Sequence, residues 1–89
     1  MEKKGEIMDV ICGVIAKLFQ KDPEYVKAHP ELRLKEDLHA DSKQYFPMIS
    51  AIEDEFDLMI DYHYFQYEAT TIQSAVDYLA REYDEQIGE

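Results

Sequence analysis

The chain is short of cations and nearly without cysteine. Nine Lys and Arg stand against twenty Asp and Glu, a formal net charge of −11 over 89 residues. Such a chain is a poor ligand for nucleic acid or an anionic membrane surface, because both repel it at long range. A basic patch on another protein is its natural complement, and steering toward that patch should weaken as salt is added. Cys12 is the single cysteine, so no intrachain disulfide can form, which fits a reducing, cytoplasmic setting. It falls inside a helical pattern and reads as an inert, small, partly buried residue. No apolar run approaches the length of a membrane span. Asp9 and Lys17 interrupt the N-terminal apolar stretch, and no small-x-small site follows, so it does not read as a signal peptide.

Chemistry-bearing patterns are equally sparse. His29, His39 and His63 show no metal-ligand spacing, and Asp57 and Asp61 lack the glycine-containing loop of a calcium site. There is no glycine-rich phosphate loop and no Ser-His-Asp arrangement. The expectation is no intrinsic enzyme activity and no metal. Strand signals are missing as well: no sustained alternation, no Asn-Gly or Asp-Gly turn.

What is present is helical. Hydrophobic residues make up 46% of the chain, enough for one small core despite 33% charge, and 89 residues allow one domain, with an ordered core over about 6–83. Ile7, Val10, Ile11, Val14, Ile15, Leu18 and Phe19 recur at i, i+3, i+4 spacing, which predicts an amphipathic helix of about four turns with Gly13 on its outer face. Asp22-Pro23 ends it and can start a short new turn. Residues 24–40 form a long connection containing Pro30, which Leu32, Leu34 and Leu38 can anchor by tucking into helix grooves.

The next helix is expected from Ser42 to Phe56, with Phe46, Ile49, Ile52 and Phe56 as its core stripe and Tyr45 and Met48 flanking. Asp41 is its N-cap, and a carboxylate there can also orient or deprotonate the Ser42 hydroxyl. Pro47 then falls in the second turn and removes the bond to the Lys43 carbonyl, at a cost of about 3 kcal/mol. A kinked helix is expected rather than a delayed start, because Phe46 would cap poorly. Asp57 to Ala69, rich in Tyr and Phe, reads as a short helical turn in an irregular connection; its aromatics are expected mainly to pack, though they can also line a pocket or meet a partner. Thr70 or Thr71 caps a last helix with core face Ile72, Ala75, Val76, Leu79 and Tyr83, and Asp84 to Glu89 is a polar tail.

Three blocks occur in the order of a known family. Asp37-Leu38-His39-Ala40-Asp41-Ser42, then Ile52-Glu53-Asp54-Glu55-Phe56, then Thr71-Ile72-Gln73-Ser74-Ala75-Val76-Asp77-Tyr78-Leu79 resemble the acyl carrier proteins. The resemblance implies an all-α four-helix bundle with a long first loop and a short third helix. It implies that Ser42 bears a covalent 4′-phosphopantetheine arm, with Asp41 orienting and capping, and that acyl groups ride on the arm's thiol as thioesters in fatty-acid-type or specialised, polyketide-like biosynthesis. The partners implied are a phosphopantetheinyl transferase and acyl-activating or acyl-transferring enzymes with basic surfaces, reading Asp37, Asp41, Lys43, Glu53, Asp54 and Asp57 on a monomeric carrier. The sequence departs from the family at His39, where glycine is usual, and at Lys43, Gln44 and Pro47. Those departures keep two alternatives open: an acidic four-helix interaction module that has lost the modification, and a peptidyl or aminoacyl carrier.

Overall fold

A computed structural model describes residues 4–88, with Ser42 represented by its backbone. Five helices follow one another: α1 (Lys4–Phe19), α2 (Pro23–Ala28), α3 (Ser42–Phe56), α4 (Tyr62–Glu68) and α5 (Ile72–Gln86). Three are long and two short, so the all-α expectation holds with one more helix than expected. The added element is α2. Asp22 caps it by accepting from the Glu24 N–H at 2.9 Å, and Pro23 occupies its first turn, where a missing N–H costs nothing.

α1 is the element on which α2, α3 and α5 pack, while α4 lies against α3 and α5. Ile7, Ile11 and Ile15 are fully buried along its i, i+4, i+8 line, with Cys12 and Ala16 beside them. Val10, Val14, Leu18 and Phe19 are only half-buried. Cys12 is thus core, and burial pushes its thiol above the ordinary range. Gly13 lies on the exposed face, and a methyl group built there meets nothing within 4 Å. Gly13→Ala should therefore stabilise the protein by about 0.5–1 kcal/mol, since alanine loses less backbone entropy in a helix. Thermal melts of the two forms would show it, and an unchanged or lower midpoint would contradict the placement of this face.

Residues 29–41 connect α2 to α3 without being structureless. The Leu34 N–H donates to Thr70 O at 3.0 Å, Ile72 N–H to Leu32 O at 3.1 Å and Gln73 N–H to Pro30 O at 2.9 Å. Arg33 and Thr71 form an isolated antiparallel bridge. The connection is thereby laced to the α4–α5 junction, and Leu34 and Leu38 plug into the core as expected, with Leu32 half-buried.

α3 corrects the expected core stripe. Tyr45, Met48, Ile49 and Ile52 are its buried face, whereas Phe46 is 69% exposed and Phe56 half-buried. The true face is rotated toward the residues first read as flanking. α5 buries Ile72, Ala75, Val76 and Leu79 as expected, and Tyr78 and Ala80 besides. Tyr83, expected in the core, is half-buried, its ring edge-on to Phe56 at 6.3 Å. α5 also continues beyond Tyr83 to Gln86, into the expected tail. The reason is a two-way amide contact: Gln86 Nε2 donates to Met59 O at 2.6 Å, and the Met59 N–H donates to Gln86 Oε1 at 2.8 Å.

Candidate functional site

The N-terminus of α3 is built by the turn that precedes it. The Asp37 and Leu38 N–H groups both donate to Arg33 O, and the Ala40 N–H donates to Leu34 O at 2.8 Å. Leu38 and Ala40 are buried, which pins the turn, and His39 between them is exposed with φ 60°. Where the family usually has glycine, the left-handed conformation is thus adopted by histidine, one of the side chains that tolerates it. The chain reverses there and enters α3 at Asp41.

Asp41 is the N-cap. Its carboxylate accepts from the Lys43 N–H at 3.0 Å, and the Gln44 side chain reaches back to accept from the Asp41 N–H at 3.0 Å. This is a reciprocal capping box. Gln44, noted in the sequence only as a departure, is the residue that completes it; the Asp-x-x-Gln spacing was the available signal. The cap excludes a delayed helix start, and α3 is a single helix across Pro47. Lys43, whose carbonyl loses its partner to Pro47, is exposed, so water can reach that end of the helix. Ser42 is the first residue of α3, immediately after the cap. No acid lies in the first turn, and the exposed Lys43 makes no ion pair among the described residues. The site thus offers helix N–H dipoles, one cation and one capping carboxylate around the Ser42 position.

The remaining site residues do not gather there. Asp37 is held in the turn, accepting from the Arg33 N–H at 2.8 Å and from its Nε at 3.5 Å. Those two bonds, the backbone one first, hold its carboxyl below the usual range. Glu53 and Asp57 stand at the far end of α3, roughly 20 Å away at 1.5 Å per residue. The Glu53 carboxylate accepts from the Ile60 N–H at 2.9 Å, and Asp57 is the left-handed C-cap, φ 60°, donating its N–H to Glu53 O. Both therefore fold the exit of α3. Asp54 is exposed.

A cleft of about 300 Å³ opens beside the α3 entrance, lined by Lys35, Glu36, Tyr45, Gln66, Tyr67, Ala69 and Thr70. Tyr45 forms part of it from one turn past Ser42. Its hydroxyl is buried and has no hydrogen-bond partner among the described residues. Desolvation, with Glu36 nearby, pushes this phenol up. Removing an unsatisfied buried hydroxyl relieves its desolvation cost, so Tyr45→Phe should stabilise by about 1 kcal/mol. A urea titration reads this directly; a clear loss of stability would mean that the hydroxyl is paired. The aromatic run expected at 62–67 divides: Phe65 is core, Tyr62 half-buried, and Tyr64 and Tyr67 exposed, with Tyr67 on the cleft.

Over 76 residues the chain is 32% identical to the acyl carrier protein of Thermosynechococcus vestitus, a match covering 85% of this chain and 90% of that protein. The chain belongs to the acyl carrier protein family. No family model matches it. In this chain the capped entrance of α3 coincides with the Asp-Ser block that carries the resemblance. The relative supports a carrier role, with no membrane-length apolar helix among the described residues. No group of three or more His, Cys, Asp or Glu is placed to hold a metal among them.

Proposed function

We propose that the protein carries acyl groups as thioesters on a 4′-phosphopantetheine arm esterified to Ser42, and passes them between biosynthetic enzymes. The observation that carries this reading is the position of Ser42: first residue of a long helix, directly after an Asp41 cap, in a chain of this family. When bound, the arm supplies a thiol that holds the acyl group. The protein's own residues supply position. Ser42 is the nucleophile in loading: its oxygen bonds to the β-phosphorus of coenzyme A, the phosphoanhydride breaks, and 3′,5′-ADP leaves. The serine proton passes to a base on the transferase.

The entrance of α3 suits a phosphodiester. Helix N–H dipoles favour an anion there, typically by 0.3–1 kcal/mol. Lys43, the next residue, can pair with the phosphate, offsetting the nearby charge of Asp41. The Asp41 carboxylate is occupied by the Lys43 N–H, so its first duty is to fix the turn. Asp37, Asp41, Lys43 and Asp54 remain candidates for a surface read by basic enzymes, with Glu53 and Asp57 contributing charge while holding the helix end.

Incubation with coenzyme A, Mg²⁺ and a permissive phosphopantetheinyl transferase should add one phosphopantetheinyl group in the intact-mass spectrum. Failure with several transferases would overturn the proposal and leave the acidic interaction module as the surviving reading.

A further inference from the structure

Among the described residues, the Tyr45 hydroxyl is the one buried polar side-chain atom that nothing satisfies. The residue is 1% exposed, and its oxygen is shut off from solvent. Such a group gives up its bonds to water on folding and makes none inside the protein, an imbalance that few native side chains show. The ring accounts for its own burial, since it meets Phe65 edge-on at 6.1 Å in the core. No residue of the core uses the oxygen.

The surroundings of that oxygen lie toward the cleft. Burial first, and then the charge of Glu36, push the phenol up, and Glu36 lines the same cleft as Tyr45. The hydroxyl end therefore stands on the cleft side and the ring on the core side. Two more polar side chains of the cleft, Lys35 and Gln66, make no hydrogen bond or ion pair among the described residues. All three groups can donate a hydrogen bond. The cleft thus offers donors without acceptors, above a floor made of the Tyr45 ring and Ala69.

We propose that this cleft seats the chain esterified to Ser42, and that the Tyr45 hydroxyl donates a hydrogen bond to one of its carbonyl oxygens. The inference rests on Ser42 being the attachment point. Tyr45 comes three residues later, a neighbouring position on the helix about 4.5 Å farther along the axis. A volume of about 300 Å³ is at the small end for a ligand pocket and suits a narrow, flexible chain. Lys35, Glu36 and Tyr67 around the cleft are exposed, so their side chains can swing aside to admit it. An amide of the arm and a carbonyl of the acyl group offer the same acceptor. A chain with no oxygen at that depth would cover the hydroxyl and leave it unpaired, so Tyr45 selects for a carbonyl there.

The test compares thermal melts of the parent and Tyr45→Phe in three states. These are the chain without the arm, the chain with the arm as a free thiol, and the chain with a 3-oxooctanoyl group on the arm. Loading is from coenzyme A or 3-oxooctanoyl-coenzyme A, and intact mass verifies each sample. Without the arm, Tyr45→Phe should melt about 4–8 °C above the parent, because it loses only an unpaired hydroxyl. Once the hydroxyl has an acceptor, that gain should vanish or become a loss. A gain that vanishes already with the free thiol assigns an amide of the arm; one that vanishes only with the acyl group assigns the cargo. The same loading step should shift the backbone amide NMR signals of Gln66 and Ala69 in the parent. A gain of equal size in all three states, or unmoved Gln66 and Ala69 signals, would overturn the proposal and leave the carrier reading standing. So would a Tyr45→Phe chain no more stable than the parent without the arm, since the hydroxyl would then already be paired. If no transferase loads the parent, the carrier reading fails and this inference fails with it.

Discussion

Ser42→Ala is expected to accept no phosphopantetheinyl group at all, while folding as the parent does. The effect is all-or-none because loading forms a bond to one oxygen, and alanine has none to offer. Neighbouring groups cannot stand in for it. Asp41 is tied to the Lys43 N–H, and Lys43 reacts poorly as a nucleophile while it remains an ammonium. The stability half of the expectation follows from position. Ser42 is the first residue of α3, and the capping box uses Asp41 and Gln44. Alanine is the best helix former, so the change should lie within about 0.5 kcal/mol. Intact-mass spectra after loading and a urea titration test both halves. Ser50→Ala is the control, lying two turns on along the exposed side of α3, and should load fully. Residual loading of Ser42→Ala would sink the assignment and move the search to another hydroxyl.

The largest stability effect is expected at Phe65. Its ring is fully buried and meets Tyr45 of α3 edge-on at 6.1 Å and Tyr78 of α5 at 6.0 Å. α4 has seven residues and is too short to persist alone, so it depends on packing for its existence. Phe65 is the one residue of α4 that is completely buried. Phe65→Ala should cost about 3–5 kcal/mol, combining lost transfer energy with a cavity. That is a large share of the 5–15 kcal/mol typical of a whole domain. Tyr67→Ala, at 77% exposure, should stay within about 0.5 kcal/mol. Denaturant titrations of the pair separate them; a Phe65 variant as stable as the Tyr67 one would mean that α4 is not held by this ring.

Loss of α4 also bears on the cleft, since Gln66, Tyr67 and Ala69 form its wall opposite Tyr45. The aromatic stretch that looked like one feature in sequence thus serves two ends. Phe65 faces inward and holds the helix, and Tyr64 and Tyr67 face water. Sequence spacing allowed both uses. Only the packing of α4 on α3 and α5 assigns them.

The position of α3 shows how far local chemistry reaches. Asp41 before Ser42 fixed the helix start to the residue, because a capping carboxylate stabilises one register of the first turn and not its neighbours. Asp22-Pro23 fixed the start of α2 in the same way, and of the two candidates Thr70 and Thr71 it is Thr71 that caps α5. Helix faces were less secure. Both Tyr45 and Phe46 are apolar at adjacent positions, so periodicity alone left a rotation of about 100° open. Packing against Phe65 and the core under the α2–α3 connection chose Tyr45 and sent Phe46 outward. Glu53 likewise read as a surface charge, until the fold brought the Ile60 N–H to its carboxylate across seven residues.

By itself the sequence determined the helical class, the capped starts of α2 and α3 and the serine at the head of α3. These depend on neighbours a few residues apart, where capping, turn chemistry and 3.6-residue periodicity act. Tertiary structure alone decided which aromatic faces water, that α5 runs on to clasp Met59, and that the Glu53 carboxylate takes up the Ile60 N–H. Those outcomes depend on how the elements pack, and packing is set by contacts between residues far apart in the chain.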